Sequence, residues 1–131
     1  MGVAWSEPIP FEQVSIRSRV PSTPGVYQIV QEPSYARYEG TTAVVKIGKS
    51  NSDLQSELLN HFQRHTVANR LVRIRRRLGV VVSLVYSALE SADATEVEAR
   101  LLREFEDAHW DLPVLNAQRG YARDRDGHFR G

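Results

Sequence analysis

The chain contains no cysteine. Disulfides, thiolate-bound zinc and thiol nucleophiles are therefore excluded, and nothing in the sequence marks an oxidising compartment. Long apolar runs are missing too. The densest, around Val80 to Val82, falls far short of the roughly 20 residues that a membrane-spanning helix needs. The first ten residues lack the basic start and apolar centre of a secretory signal. Together these absences lead to the expectation of an intracellular, cytoplasmic protein that does not associate with membranes. Charge imbalance is also lacking, with 17 basic against 16 acidic residues and a net charge of +1. What is present is an ordinary globular composition, 41% hydrophobic and 25% charged, with a mean hydropathy of −0.40. That composition excludes wholesale disorder and fibrous repeats. A length of 131 residues suits one domain, which buries roughly two thirds of its unfolded surface.

The charge becomes informative once it is localised. Only Lys46 and Lys49 are lysines; every other basic residue is arginine. Arg64, Arg70, Arg73, Arg75, Arg76 and Arg77 fall in one stretch without a carboxylate among them. Guanidinium groups grip phosphate in bidentate fashion, so this stretch is a candidate nucleic-acid contact through Arg70, Arg73, Arg76 and Arg77. A solvated helix face accounts for it equally well.

Residues 1–20 read as an irregular, proline-rich segment with one turn of helix around Phe11 to Ile16. Residues 21–117 read as the folded domain, and 118–131 as a mobile polar tail with too few apolar side chains to pack. Within the domain, Pro24-Gly25 signals a turn before a strand at Val26 to Val30, and Ala43 to Lys49 reads as its antiparallel partner. The stretch from Glu32 to Thr42 between them reads as a loop or a ragged hairpin connection. Ser52 and Gln55 have capping-box spacing ahead of a helix reaching about His65, and Asp93 and Glu96 have it ahead of one reaching about His109. Between these lie a helix at about Val67 to Leu78, closed by Gly79, and a buried strand at Val80 to Ser87. The order β-β-α-α-β-α predicts an α+β fold: a small, largely antiparallel three-stranded sheet flanked by helices.

Gly25-Val26-Tyr27 in the first strand and Lys46-Ile47-Gly48-Lys49 in the second resemble the paired strand motifs of the GIY-YIG nuclease superfamily. A helix Glu followed by a Pro and an Asn completes that pattern, and Glu98, Pro113 and Asn116 fit it. The resemblance spans roughly residues 20–117. It implies a metal-dependent endonuclease that hydrolyses phosphodiester bonds in nucleic acid, DNA foremost, with magnesium or manganese. It implies that Tyr27 lies by the attacking water, that Glu98 holds the metal and that Asn116 supports the site. Lys46 stands where most members carry a second Tyr, a replacement that some branches share. His61 matches a position one turn after a family Arg, and there the chain departs from the pattern: Glu57 occupies the Arg position. Arg64, one turn beyond His61, is the candidate replacement cation. Failing that, the fold is a degenerate module that binds nucleic acid or protein without cutting.

The residues support this chemistry without the family. At 100° per residue, Glu98 falls inside an apolar arc with Val97, Ala108, Leu101, Ala94, Phe105 and Leu102. A carboxylate there needs a metal, a cation or hydrogen-bond donors. Magnesium commonly takes one or two protein carboxylates and keeps its waters, and pairing with Lys46 is the alternative. Lys46 in its strand should share a side with Val44 and Gly48, close enough to Tyr27 to perturb the phenol or bind phosphate. Gly48 and Lys49 suit close approach of a phosphate to the backbone, although a strand Gly can equally mark a bend. Tyr27, Lys46, His61 and Glu98 are expected to converge on one concave surface.

Overall fold

The computed structural model describes residues 3–63, 71, 73 and 77–116. Four strands form one antiparallel sheet: β1 (Ile9–Pro10), β2 (Gly25–Ala36), β3 (Thr41–Ser50) and β4 (Val81–Ala88), in the order β1-β4-β2-β3. The helices with defined bounds among the described residues are α1 (Gln13–Arg19), α2 (Leu54–Gln63) and α3 (Ser91–His109). Leu71, Arg73, Arg77 and Leu78 are also helical, and Gly79 follows them with a φ of 65°. The α+β class holds. The sheet has a fourth strand that sequence pattern does not announce, because β1 has only two residues and one of them is proline.

Residues 3–8 of the N-terminal segment have no regular secondary structure, and β1 and α1 follow them. The segment runs along the outer edge of β4: Ser6 N–H donates to the Tyr86 carbonyl, Ser6 Oγ accepts from Tyr86 N–H, and Phe11 N–H donates to the Val82 carbonyl. An edge strand left bare would invite pairing with other chains, and this segment covers it. Ile9, Phe11, Ile16 and Val20 from the segment and α1 join Tyr27, Ile29, Leu54, Leu58 and Leu84 in the core.

β2 is longer than its apolar stretch. It continues through Pro33 to Ala36, so most of the expected loop belongs to the β2–β3 hairpin, with register shifts after Ile29 and Val30. The first shift leaves Val45 as an extra residue in β3: Ile29 faces Lys46, whereas Val30 faces Val44. Side chains alternate along a strand, so Val44 and Lys46 lie on opposite faces. The expectation that they share a side is corrected by this bulge. Lys46 and Gly48 do share one.

Both helix starts differ from the capping-box reading. Asp53 caps α2, accepting from Ser56 N–H at 3.0 Å, while Ser50 Oγ accepts from Asp53 N–H. In α3, Asp93 and Glu96 lie inside the helix, which opens after Glu90. α3 lies along edge strand β3. Ser91 Oγ and Thr95 Oγ1 reach Asn51 just past one end of β3, and His109 meets the Glu39 backbone just before the other. A helix of this length, about 28 Å, matches a ten-residue strand of about 33 Å. That arrangement brings the first half of α3 beside the Ile47-Gly48 end of β3. No helix among the described residues is long and apolar enough to cross a membrane.

Candidate functional site

Tyr27 is the pivot. Its residue is 1% exposed, and in β2 it faces Gly48 of β3 on one side and Tyr86 of β4 on the other. A Cβ on Gly48 would collide with the Tyr27 Cζ and hydroxyl. The phenol lies across this glycine, a close approach by a side chain that accounts for Gly48 without a phosphate contact or a bend. On α2, Leu54 and Leu58 enter the core, and the next turn brings in His61, 8% exposed. Its Nε2 lies 2.9 Å from the Tyr27 hydroxyl. The two rings meet edge to face with centroids 5.9 Å apart, and Phe11 packs on the His61 ring while stacking on Phe62. A surface histidine would have none of these contacts. Tyr27 and Phe11 together hold His61 in place.

The phenol opens on a cleft of about 350 Å³ lined by Tyr27, Gly48, Lys49, Glu57, Glu98, Leu102, Leu112 and Asn116. That volume is at the lower end of small-ligand pockets and suits one phosphodiester unit rather than a whole base pair. Glu98 reaches it from α3, where it is half-buried beside buried Ala94 and Phe105; of the apolar arc, only Ala108 is exposed. Glu57 reaches it from the first turn of α2.

Asn116 also lines the cleft, and both ends of its amide bond the Ile47 backbone. Oδ1 accepts from Ile47 N–H at 2.7 Å and Nδ2 donates to the Ile47 carbonyl at 2.8 Å. It completes the free edge of β3 as a neighbouring strand would, which commits one N–H and one oxygen lone pair of the amide to the backbone. Residues 111–116 are tied to the hairpin at two further places. Arg37 and Asp111 form an ion pair at 2.6 Å, and the Tyr35 hydroxyl donates to the Val44 carbonyl while accepting from Val114 N–H. Burial pushes the Tyr35 phenol pKa up, against the lowering effects of the Val114 N–H and Arg37. Sequence reading overlooked Tyr35, Leu112 and the Arg37–Asp111 pair. Val114 lies 79 positions from Tyr35 and Asp111 lies 74 from Arg37, and no local spacing signals such pairs.

Asn116→Ala removes both bonds to Ile47 and strands a buried N–H and carbonyl. Each costs about 1–3 kcal/mol, so the denaturation midpoint should fall clearly. Amide exchange at Ile47 should accelerate well beyond that at Ile29 in the sheet centre.

Lys46 does not line the cleft. It is 2% exposed, faces Ile29, and is partnered inside the protein. Of the four residues expected to converge, Tyr27 and Glu98 line the cleft, His61 adjoins it through the Tyr27 hydroxyl, and Lys46 lies one pleat further along β3. Arg73 and Arg77 are exposed helical residues; Arg64, Arg70 and Arg76, like the tail at 118–131, lie outside the described residues.

Among the described residues no three His, Asp or Glu gather into a metal cluster. Glu98 and Glu57 nevertheless both line one cleft, and carboxylates are the donor type that suits magnesium, which takes hard oxygen ligands from few residues and keeps several waters. No family model matches the chain, and no curated protein or solved structure matches it either.

Proposed function

We propose that the protein is a metal-dependent endonuclease of the GIY-YIG type, hydrolysing phosphodiester bonds of nucleic acid, DNA foremost, in the cytoplasm. The observation that carries this reading is the buried Tyr27 hydroxyl, set by His61 at 2.9 Å and opening on the same cleft as Glu98 and Lys49. With His61 in the tautomer protonated at Nδ1, Tyr27 O–H donates to Nε2. The phenol oxygen can then take a proton from the attacking water while its own passes to His61. The imidazole ends protonated and the phenol neutral, the water oxygen bonds to phosphorus, and the bond to the leaving oxygen breaks. Lys49 offers its ammonium to the phosphate. Arg73, Arg77 and their neighbours Arg64, Arg70 and Arg76 extend the contact along the backbone without reading sequence. Magnesium or manganese, held by Glu98 with Glu57 as second carboxylate, supplies positive charge that polarises the phosphate and stabilises the leaving oxygen.

Glu57 favours a second reading. A carboxylate in the wall where the family places a cation leaves the scissile phosphate without that counter-charge, as expected of a module that binds nucleic acid or protein without cutting. Incubating the full chain with plasmid and single-stranded DNA and RNA distinguishes the two. Cleavage with magnesium or manganese, abolished by EDTA, is the expected result; intact substrate under every metal condition assigns the binding module instead.

A further inference from the structure

Five large hydrophobic residues stand exposed among the described ones, and four of them fall in two places: Tyr38 at 79% with Trp110 at 67%, and Leu78 at 67% with Val81 at 63%. Scattered exposed apolar residues need no explanation, but paired ones do. The aromatic pair sits on a corner where the β2–β3 turn docks on the end of α3. Glu39 N–H donates to the His109 carbonyl at 3.1 Å, His109 Nδ1 lies 2.8 Å from the Glu39 carbonyl, and Arg37 holds Asp111 at 2.6 Å. Trp110 itself ends α3 in the left-handed conformation, with φ 63°. Two large rings are thus held out into water by a fixed backbone, so little ordering cost remains to be met on binding.

Charge identifies the kind of partner. The exposed charges nearest the corner in sequence are Glu39, Glu106 and Asp107, with Arg103 as the opposing cation, while Arg37 is committed to Asp111. That rim repels phosphate, so the rings do not suit a nucleic-acid strand. It suits guanidinium, which stacks on aromatic faces and pairs with carboxylates. The chain carries the complement itself. Arg73 and Arg77 are exposed, helical and four residues apart, hence on one helix face, and Leu78 and Val81 follow directly.

We propose that the Tyr38–Trp110 corner docks a second copy of this chain, whose Arg73 and Arg77 guanidinium groups lie over the two rings between acidic neighbours. The two surfaces differ, so the contact is heterologous and generates a ring or a chain of copies. Each aromatic buries about 150–250 Å², and with Leu78 and Val81 the contact stays below the roughly 1,200 Å² of standard interfaces. The association is weak, concentration-dependent and screened by salt. Nucleic acid bound at the same arginines displaces it.

Sedimentation velocity of the full chain without nucleic acid, from about 1 μM to 1 mM, tests this independently of any cleavage. The weight-average mass should rise with concentration and fall with added salt. Trp110→Ala and the pair Arg73→Glu/Arg77→Glu should each weaken association at least tenfold. Because Trp110 is exposed, its removal leaves the core intact, which circular dichroism verifies. Mixing the Arg73→Glu/Arg77→Glu protein with a Glu106→Lys/Asp107→Lys protein should restore association between unlike copies, a rescue that a folding defect cannot produce. A monomer throughout the range, unchanged association in Trp110→Ala, or no rescue in the mixture overturns the proposal. Loss of single-stranded DNA binding by Trp110→Ala at constant mass overturns it too, making the corner a base-stacking platform.

Discussion

Gly48→Ala is expected to break the Tyr27–His61 hydrogen bond and abolish any activity that depends on it, while the chain still folds. The new methyl group falls on the Tyr27 Cζ and hydroxyl, and the ring has nowhere to retreat: it is 1% exposed and part of the core with Ile29, Leu54 and Leu58. Overpacking of this kind costs about 1–3 kcal/mol, a loss that a domain of typical stability survives. The phenol must tilt away from Nε2. Tyr27→Phe is the comparison, since it keeps the ring and removes only the hydroxyl, a change worth about 0.5–1.5 kcal/mol. Both variants should lose cleavage and shift the His61 ring resonances, and only Gly48→Ala should also shift those of Phe11. Full cleavage by Gly48→Ala would show that the position of the phenol does not matter, and the assignment of Tyr27 would fall with it.

The parts of the fold that were legible in sequence are those encoded locally. Tyr27 and Gly48 lie in strands rich in Val and Ile, whose apolar pattern and flanking Pro-Gly turn are sufficient to place them. Leu54, Leu58 and His61 recur at the spacing of one helix face, and Glu98 lies within an apolar arc, so its approach to a cleft can be derived from the 3.6-residue period alone. What escaped depends on pairings distant in the chain. β1 is recognisable only because Ser6 and Phe11 meet Tyr86 and Val82; its two residues carry no periodicity. The bulge at Val45 follows from how β3 pairs with β2 on one edge, and it reversed the face expected for Val44 relative to Lys46. Asn116 illustrates a further limit. Sequence marks it as a residue that supports the site, but only the fold shows how it braces the cleft wall, through a pair of hydrogen bonds to the Ile47 backbone. The capping boxes failed for a related reason: a Ser or Asp three residues before Gln or Glu recurs by chance, and the cap goes to the residue whose backbone leaves the helix. At α2 that residue is Asp53, one position beyond the Ser52 of the motif.

The Glu98→Gln variant should lose cleavage by about a hundredfold or more while keeping affinity for nucleic acid. The amide preserves the shape of the side chain but carries no charge, so it cannot balance a dication, and the loss of metal-supplied charge on the transferring phosphate is worth several kcal/mol. Binding survives because it rests on Lys49 and the arginines, and it tightens modestly when one of the two carboxylates facing the phosphate is removed. Glu57 decides what such a result means, since it lines the same cleft at the position where the resemblance calls for Arg. If Glu57 helps to hold the metal, Glu57→Arg lowers cleavage along with Glu98→Gln, and isothermal titration with manganese shows weaker binding in both. If Glu57 is instead the substitution that silenced an ancestral site, Glu57→Arg raises cleavage from nothing, and Glu98→Gln placed on top of it removes the gain. Unaltered metal binding in both single variants, with no cleavage by any of the proteins, would leave the cleft without a metal role. Tyr27, His61 and Glu98 would then serve a binding module that has kept the shape of a nuclease site.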